Sequence, residues 1–427
     1  MSAPTTPTLI TGASLADGST TDLYLHDGVL ADPSVAAPDA VRVDADGLLA
    51  LPGLVDLHTH LREPGREDAE TIATGTRAAA SGGFTCVFAM ANTDPVTDTA
   101  EAAEHVAAIA GREAAAQVVP IGAVSKGLAG QELAELGLMA RSAAAVRVFS
   151  DDGRCVSDAR LMRRALEYVR AFDGVVAQHA QEPRLAGAGA CCHEGELSGR
   201  LGLEGWPSVA ESAIVARDVQ LARHTGSRLH VCHVSTAETV EVLRWAKDLG
   251  VRVTAEVTPH HLLLTTDELA GYDPTYKVNP PLRPAEDVTA LREALADGTI
   301  DIVATDHAPH ARHDKEHAFG DAAFGMLGLE TALAVVVETM VNTGAIGWPR
   351  VQQAMAELPA RIGRVSGQGA PLAVGAPANV VLVDPQRRRT VDRDASRSLS
   401  RNNPYHGREL PDPVVATWWR GRRTLEG

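Results

Sequence analysis

The chain has 427 residues, a formal net charge of −16, 22% charged and 45% hydrophobic residues. That length suits one barrel of eight βα units with a smaller appended piece, and the acidic balance excludes nucleic-acid binding through phosphate neutralisation unless a basic patch stands out. None does, since the run Arg387–Arg389 is short and reads as a solvated turn. Cys86, Cys155, Cys191, Cys192 and Cys232 form no CxxC pair, the start MSAPTTPTLITG has no basic-then-apolar leader, and no apolar run would span a bilayer. The expectation is a cytoplasmic protein with reduced thiols and no membrane partner.

Residues 1–53 carry short strand-like runs, DLYLHDGVL and VRVDADGLLA, between Gly, Asp and Pro turns. From residue 54, short β-branched runs alternate with Ala-rich helical stretches: LVDLH then DAETIATGTRAAASGG, FTCVFAMAN then AEAAEHVAAIAGREAA. The alternation continues through QVVPIGAV, AAVRVF, GVVAQH, RLHVCH, VRVTAEV and DIVATD. Such alternation predicts α/β architecture with a parallel sheet, and eight units predict a (β/α)8 TIM-like barrel over 54–364. An open doubly wound sheet would want a glycine-rich phosphate loop after its first strand, and none follows. The tail, 365–427, is strand-like again at GAPANVVLVD and VVATWWRGRR. Neither end offers enough strands to be stable alone, so 1–53 and 365–427 are expected to pair into one small β-rich domain.

Several of the central runs end in histidine or aspartate, where a barrel delivers its catalytic groups. His58 and His60 in LVDLHTH are two apart and should face one side. An HxH pair alone is weak evidence of a metal site. Asp151 and Asp152 follow the fourth run, His179 the fifth, His233 the sixth and Asp306 the last. Each has a bland alternative, a core histidine or a capping aspartate, and their joint placement on strand ends argues for a metal centre in which Asp306 moves a proton. His230, three residues before His233, has the opposite parity and should point away, and His260 and His261 read as supporting groups. Arg62, two beyond His60, suits a carboxylate-bearing substrate. Asn92 and Asn279 place amides just past strands, where they either bind a polar ligand or cap a turn. The stretch ARHDKEHAFGDAAFG after His310 has the composition of a mobile lid.

DLHTHLREPG, AMANTDP, FSDDG, EVTPHHL, KVNPPLR, ATDHAPH and FGMLGLETAL occur in an order that resembles the bacterial type I class of dihydroorotases, over nearly the whole chain. The resemblance implies zinc-dependent, reversible cyclisation of N-carbamoyl-L-aspartate to (S)-dihydroorotate in de novo pyrimidine biosynthesis. It implies two zinc ions per subunit, one held by His58, His60 and Asp306, the other by His179 and His233, with Asp152 rather than Asp151 bridging them. It further implies that Asp306 is catalytic, that Arg62, Asn92 and His310, with His60 nearby, bind the substrate carboxylate, and that Asn279 and the backbone of Phe324 and Gly325 meet the ring. A homo-oligomer is implied too, with aspartate transcarbamoylase as a candidate partner.

Two departures bear on this. Many cyclic amidohydrolases bridge their metals with a carboxylated lysine on the fourth strand, whereas AAAVRVFSDDG offers none, which argues against a hydantoinase or allantoinase. The lid pattern usually reads APFG and here reads AAFG, with Ala323 in the proline position, which puts the rigidity of the loop in question. The competing readings are a hydantoinase-like amidohydrolase, disfavoured by Arg62 with Asn92, and a non-catalytic scaffold for the transcarbamoylase, disfavoured by the filled ligand positions.

Overall fold

A computed structural model describes residues 6–425. The chain opens with β1 (Thr8–Ser14), β2 (Thr20–His26), β3 (Val29–Ala31), β4 (Val41–Asp44) and β5 (Leu49–Pro52). Eight strands then alternate with helices: β6 (Leu54–Thr59), β7 (Phe84–Ala89), β8 (Gln117–Pro120), β9 (Val148–Phe149), β10 (Val175–Gln178), β13 (Arg228–Val231), β14 (Val253–Val257) and β15 (Ile302–Val303). Between β10 and β13 lies a small ribbon of β11 (Cys192–His193) and β12 (Gly205–Trp206). The tail adds β16 (Val380–Val383), β17 (Arg388–Thr390), β18 (Glu409–Pro411), β19 (Val414–Trp419) and β20 (Arg422–Arg423).

The architecture is α/β. Strands β6, β7 and β8 pair in parallel, as do β9, β10, β13, β14 and β15. Single parallel bridges from Gly122 to Phe149 and from Thr59 to His307 join the two runs at both ends. Both faces of these strands are apolar because both are covered. Val55, Leu57, Cys86, Phe88, Val148, Val175, Ala177, Cys232, Ile302 and Ala304 form one cluster. Leu54, Val87, Phe149, Val176, Leu229, Val231 and Val303, of the opposite parity, pack into a second cluster with the helices. Helix starts are set by side-chain caps: Thr71 closes a capping box on Ile72–Ser81, and Thr99, Asp158 and Thr236 each accept a backbone N–H of the helix that follows.

Both chain ends share one sheet, ordered β20-β19-β16-β5-β1-β2-β3 with β4 beside β1. The tail strand β16 is antiparallel to both β5 and β19, so neither terminal piece buries its apolar face without the other. Ile10, Leu23, Leu25, Val380, Leu382 and Trp418 fill the shared core. Among the described residues no helix is long and apolar enough to cross a membrane.

Candidate active site

The strand ends bring six residues together. On β9 the inward-facing Val148 sets the parity, and Ser150 and Asp152 follow it, while Asp151 turns outward. There Asp151 accepts the backbone N–H of Val124 and Ser125 and the Ser125 hydroxyl. Asp306 continues the inward parity of Ile302 and Ala304 but adopts φ 46°, and His179 continues that of Val175 and Ala177. His58 and His60 reach the site differently, because the β6–β7 register shifts between Asp56 and Thr59. His233 does so by a left-handed backbone, φ 32°, a conformation costly for a non-glycine residue and common at functional sites.

Asp152 lies at the centre. Its Oδ1 is 3.4 Å from His58 Nε2 and 3.3 Å from both His179 Nδ1 and His233 Nε2, and its Oδ2 is 3.2 Å from His60 Nε2. Asp306 Oδ1 is 3.4 Å from His58 Nε2 and 3.1 Å from His60 Nε2. Among the described residues the ligand atoms form His58/Cys232/Glu256 and two groups that share Asp152, His58/His60/Asp152/Asp306 and Asp152/His179/His233. All six are buried.

The chemistry of this donor set fits cations. Three histidines have their outer nitrogen facing an acceptor: His58 Nδ1 is 2.6 Å from Glu256, His60 Nδ1 2.9 Å from Asn92 Oδ1, and His179 Nε2 3.0 Å from Gln181 Oε1. Each partner holds a proton on the outer nitrogen, so the inward nitrogen is the one that would meet a cation once it gives up its own proton. His58 Nε2 has no hydrogen-bond partner although it is fully buried, an arrangement that costs free energy unless something binds there. Burial would raise the pKa of Asp306, but His58 and then His60 outweigh it and hold the carboxyl at about 2. Asp152 is likewise held well below the ordinary range, against burial, by His58, His179 and His233. Both carboxylates are ionised, as ligands must be.

Around this cluster, the half-buried Arg62 donates through Nε to Pro309 O at 3.0 Å, and its Nη2 lies 3.3 Å from His310 Nε2. Burial, followed by Arg62, pulls the His310 pKa down to about 2, so its ring is neutral. That ring donates to Phe324 O at 2.7 Å. Asn92 spends its oxygen on His60 and directs Nδ2 to Asp152 O at 3.3 Å. Asn279 donates to Gln181 Oε1 at 2.9 Å, leaving its own Oδ1 buried without a partner. At Gly325, φ is 145°, and a Cβ would lie 2.8 Å from Ala308 O, so only glycine fits. Its N–H donates to Lys277 O at 2.9 Å, and its carbonyl accepts from Asn402 and Lys315. The Phe324 and Gly325 carbonyls and the Gly325 N–H therefore have protein partners in this conformation.

One expectation is overturned. His230 faces the interior, where its Nε2 is 3.0 Å from Glu256 and its Nδ1 2.9 Å from Thr254. Parity from His233 misled because the chain turns at His233, and the interior face of β13 belongs to His230 and Cys232. The supporting Glu256 went unread, although a carboxylate inside the apolar run VTAEV is a signal, since buried acids need partners. Gln181, two residues past His179, and Asn402, far along the tail, carried no such mark. His261 bonds Thr258 and the Pro281 carbonyl, while His260 Nε2 is buried and unpartnered. Cys191 and Cys192 join none of the ligand groups among the described residues.

Comparison with known proteins agrees with this geometry. The structure is similar to an L-hydantoinase (dihydropyrimidinase) from Arthrobacter aurescens, with TM-score 0.87 and 27% identity, covering 98% of this chain and 96% of that one. A D-hydantoinase structure gives TM-score 0.84 at 25% identity, covering 97% and 94%. With the buried histidine–carboxylate cluster, this likeness places the protein among the amidohydrolases, enzymes of cyclic amides. The sequence comparisons are narrower. A dihydroorotase of Leifsonia xyli is 61% identical over 98% of this chain and 95% of its own length, one of Streptomyces coelicolor 60% over 98% of each, and one of Mycobacterium tuberculosis 55% over 96% and 95%. The sequence model described as Dihydro-orotase-like matches residues 47–239. The chain belongs to the dihydroorotase family, which interconverts N-carbamoyl-L-aspartate and dihydroorotate in pyrimidine biosynthesis.

Proposed function

We propose that the strand-end cluster is a two-zinc dihydroorotase centre, with His58, His60 and Asp306 on one ion, His179 and His233 on the other, and Asp152 between them. The observation that carries this reading is the membership of Asp152 in two ligand groups, in a chain that has no lysine on its fourth strand. The fold that supports it we take as a (β/α)8 barrel spanning 54–364, with 1–53 and 365–427 forming a small separate β domain.

When bound, the two cations supply Lewis acidity at the amide carbonyl and lower the pKa of water. The protein supplies the rest. Arg62, joined by Asn92, His60 and His310, holds the substrate carboxylate, with the rest of the Arg62 fork free of the Pro309 contact. Asn279 meets the ring with its unpartnered oxygen, flanked by Phe324 and Gly325. Asp306, ionised at neutral pH, takes the proton of the attacking water and delivers it to the departing ring nitrogen, and the reverse transfer closes the ring. Gln181 bonds both His179 and Asn279, which couples the orientation of a ligand to that of a ring contact.

The test is metal analysis joined to assays on dihydroorotate and hydantoin. Two zinc ions per subunit, turnover of dihydroorotate and none of hydantoin are expected. Hydantoin turnover without dihydroorotate turnover would favour the hydantoinase reading that the solved neighbours raise. We place the enzyme in the cytoplasm, in keeping with its free cysteines, as a homo-oligomer. Sizing with and without aspartate transcarbamoylase tests the assembly.

A further inference from the structure

The segment after Asp306 carries a buried lysine with no ion-pair partner among the described residues. Lys315 ends the short helix Arg312–Lys315 and is 7% exposed. Its Nζ lies 3.2 Å from Lys277 O, 2.8 Å from Ala323 O and 3.1 Å from Gly325 O. An ammonium has three N–H donors and no acceptor, so three carbonyls match its full donor set. These acceptors belong to two separate segments: Lys277 stands two residues before Asn279, and Ala323 and Gly325 flank Phe324.

Other contacts tighten the same junction. Lys277 O also accepts the Gly325 N–H, and Lys277 Nζ donates to Gly320 O at 2.6 Å while lying 4.3 Å from the centre of the Phe324 ring. Ala323, in the position where the family pattern has proline, keeps an N–H that donates to Asp314 O at 2.9 Å. Its N–H and its carbonyl are thus both held from the Arg312–Lys315 turn. Burial first, then Lys277, pull the Lys315 pKa down to about 7, with Asp273 opposing them. A packing role alone would be met by an apolar side chain without that desolvation cost.

We propose that Lys315 is a positioning residue that ties the Ala323–Gly325 backbone to the segment leading into Asn279, and so sets the ring-side wall of the pocket without touching the reacting atoms. The inference rests on the assignment of Asn279, Phe324 and Gly325 to the substrate ring.

The experiment compares wild type, Lys315→Met and Lys315→Arg. In Lys315→Met, KM for dihydroorotate should rise about tenfold or more, as for lost charge-assisted hydrogen bonds, while kcat stays within about threefold and metal content is unchanged. Lys315→Arg, which still donates, should recover part of the loss. Unchanged KM in folded Lys315→Met would overturn the proposal, as would a fall in kcat that tracks loss of metal. If Lys315→Met does not fold, Lys315→Gln, too short to reach all three carbonyls, decides: a raised KM with metal content intact supports the clamp, and a wild-type KM overturns it. Failure of wild type to turn over dihydroorotate would instead defeat the substrate assignment itself.

Discussion

Replacing Glu256 by glutamine should weaken metal binding without unfolding the protein. Glu256 accepts from His58 Nδ1 at 2.6 Å, His230 Nε2 at 3.0 Å and the His233 backbone N–H at 3.2 Å. Burial would raise its pKa, yet His58 and then His230 hold it far below the ordinary carboxylate range, so it is ionised. An amide keeps one oxygen for His58 and His233, and His230 can present a lone pair to the new NH2 group. What is lost is charge: a hydrogen bond to an ionised group contributes about 1.5–3 kcal/mol against about 0.5–1.5 kcal/mol for a neutral one. A loss of about 1–1.5 kcal/mol is roughly tenfold in affinity, the lower end of the roughly 10–100-fold known for partners of metal-bound histidines. Glu256→Leu strands three donors at about 1–3 kcal/mol each, comparable with a whole domain's stability of about 5–15 kcal/mol, and should melt far lower or not fold. Chelator-competition titration and thermal melting read the two effects. A Glu256→Gln protein that holds both cations with wild-type affinity would refute the view that Glu256 acts through His58.

Asp306→Asn removes the proposed proton carrier and should lower kcat by about 10²–10⁴-fold, with loss of metal at the His58–His60 position. Arg62→Met should instead act on KM, costing about 2–5 kcal/mol because the substrate carboxylate loses a buried partner, and wild-type affinity for dihydroorotate would disprove the carboxylate assignment. Apo-protein should regain equal activity when zinc is returned with or without bicarbonate, since an aspartate bridge needs no carboxylation. Asp152→Asn should disturb both metal positions together, and normal metal content there would move the bridge elsewhere. Ala323→Pro loses the bond to Asp314 O, about 0.5–1.5 kcal/mol, and restricts the unfolded chain by about 0.4–1 kcal/mol, so calorimetry should find a net change under about 1 kcal/mol.

Much of the site is legible in the chain because the parallel strands end where the candidate ligands begin. The runs before His58, His179, His233 and Asp306 are apolar and β-branched, and a histidine or aspartate closing such a run has few structural uses. The choice between Asp151 and Asp152 needed the family resemblance, since both faces of these strands are apolar and periodicity does not say which face is inward. In the structure Val148 faces inward and Asp152 follows its parity, so packing on both sides decides what the alternation leaves open.

Two kinds of feature depend on the tertiary structure alone. The first is a local change of direction: the register shift after Asp56 and the left-handed backbone at His233 rotate side chains off the strand parity, which is why His230 was expected outside and lies inside. The second is assembly across distance. Glu256 supports His58 from 198 residues away, Asn402 reaches the Ala308 and Gly325 carbonyls from the tail, and Lys315 joins two loops through backbone oxygens. The sequence by itself determined the order of strands and helices and most of the inward-facing donors, because those follow from local periodicity. Only the folded chain decided which carboxylate, amide and ammonium complete them, because a hydrogen bond depends on separation and direction in space, and separation along the chain sets neither.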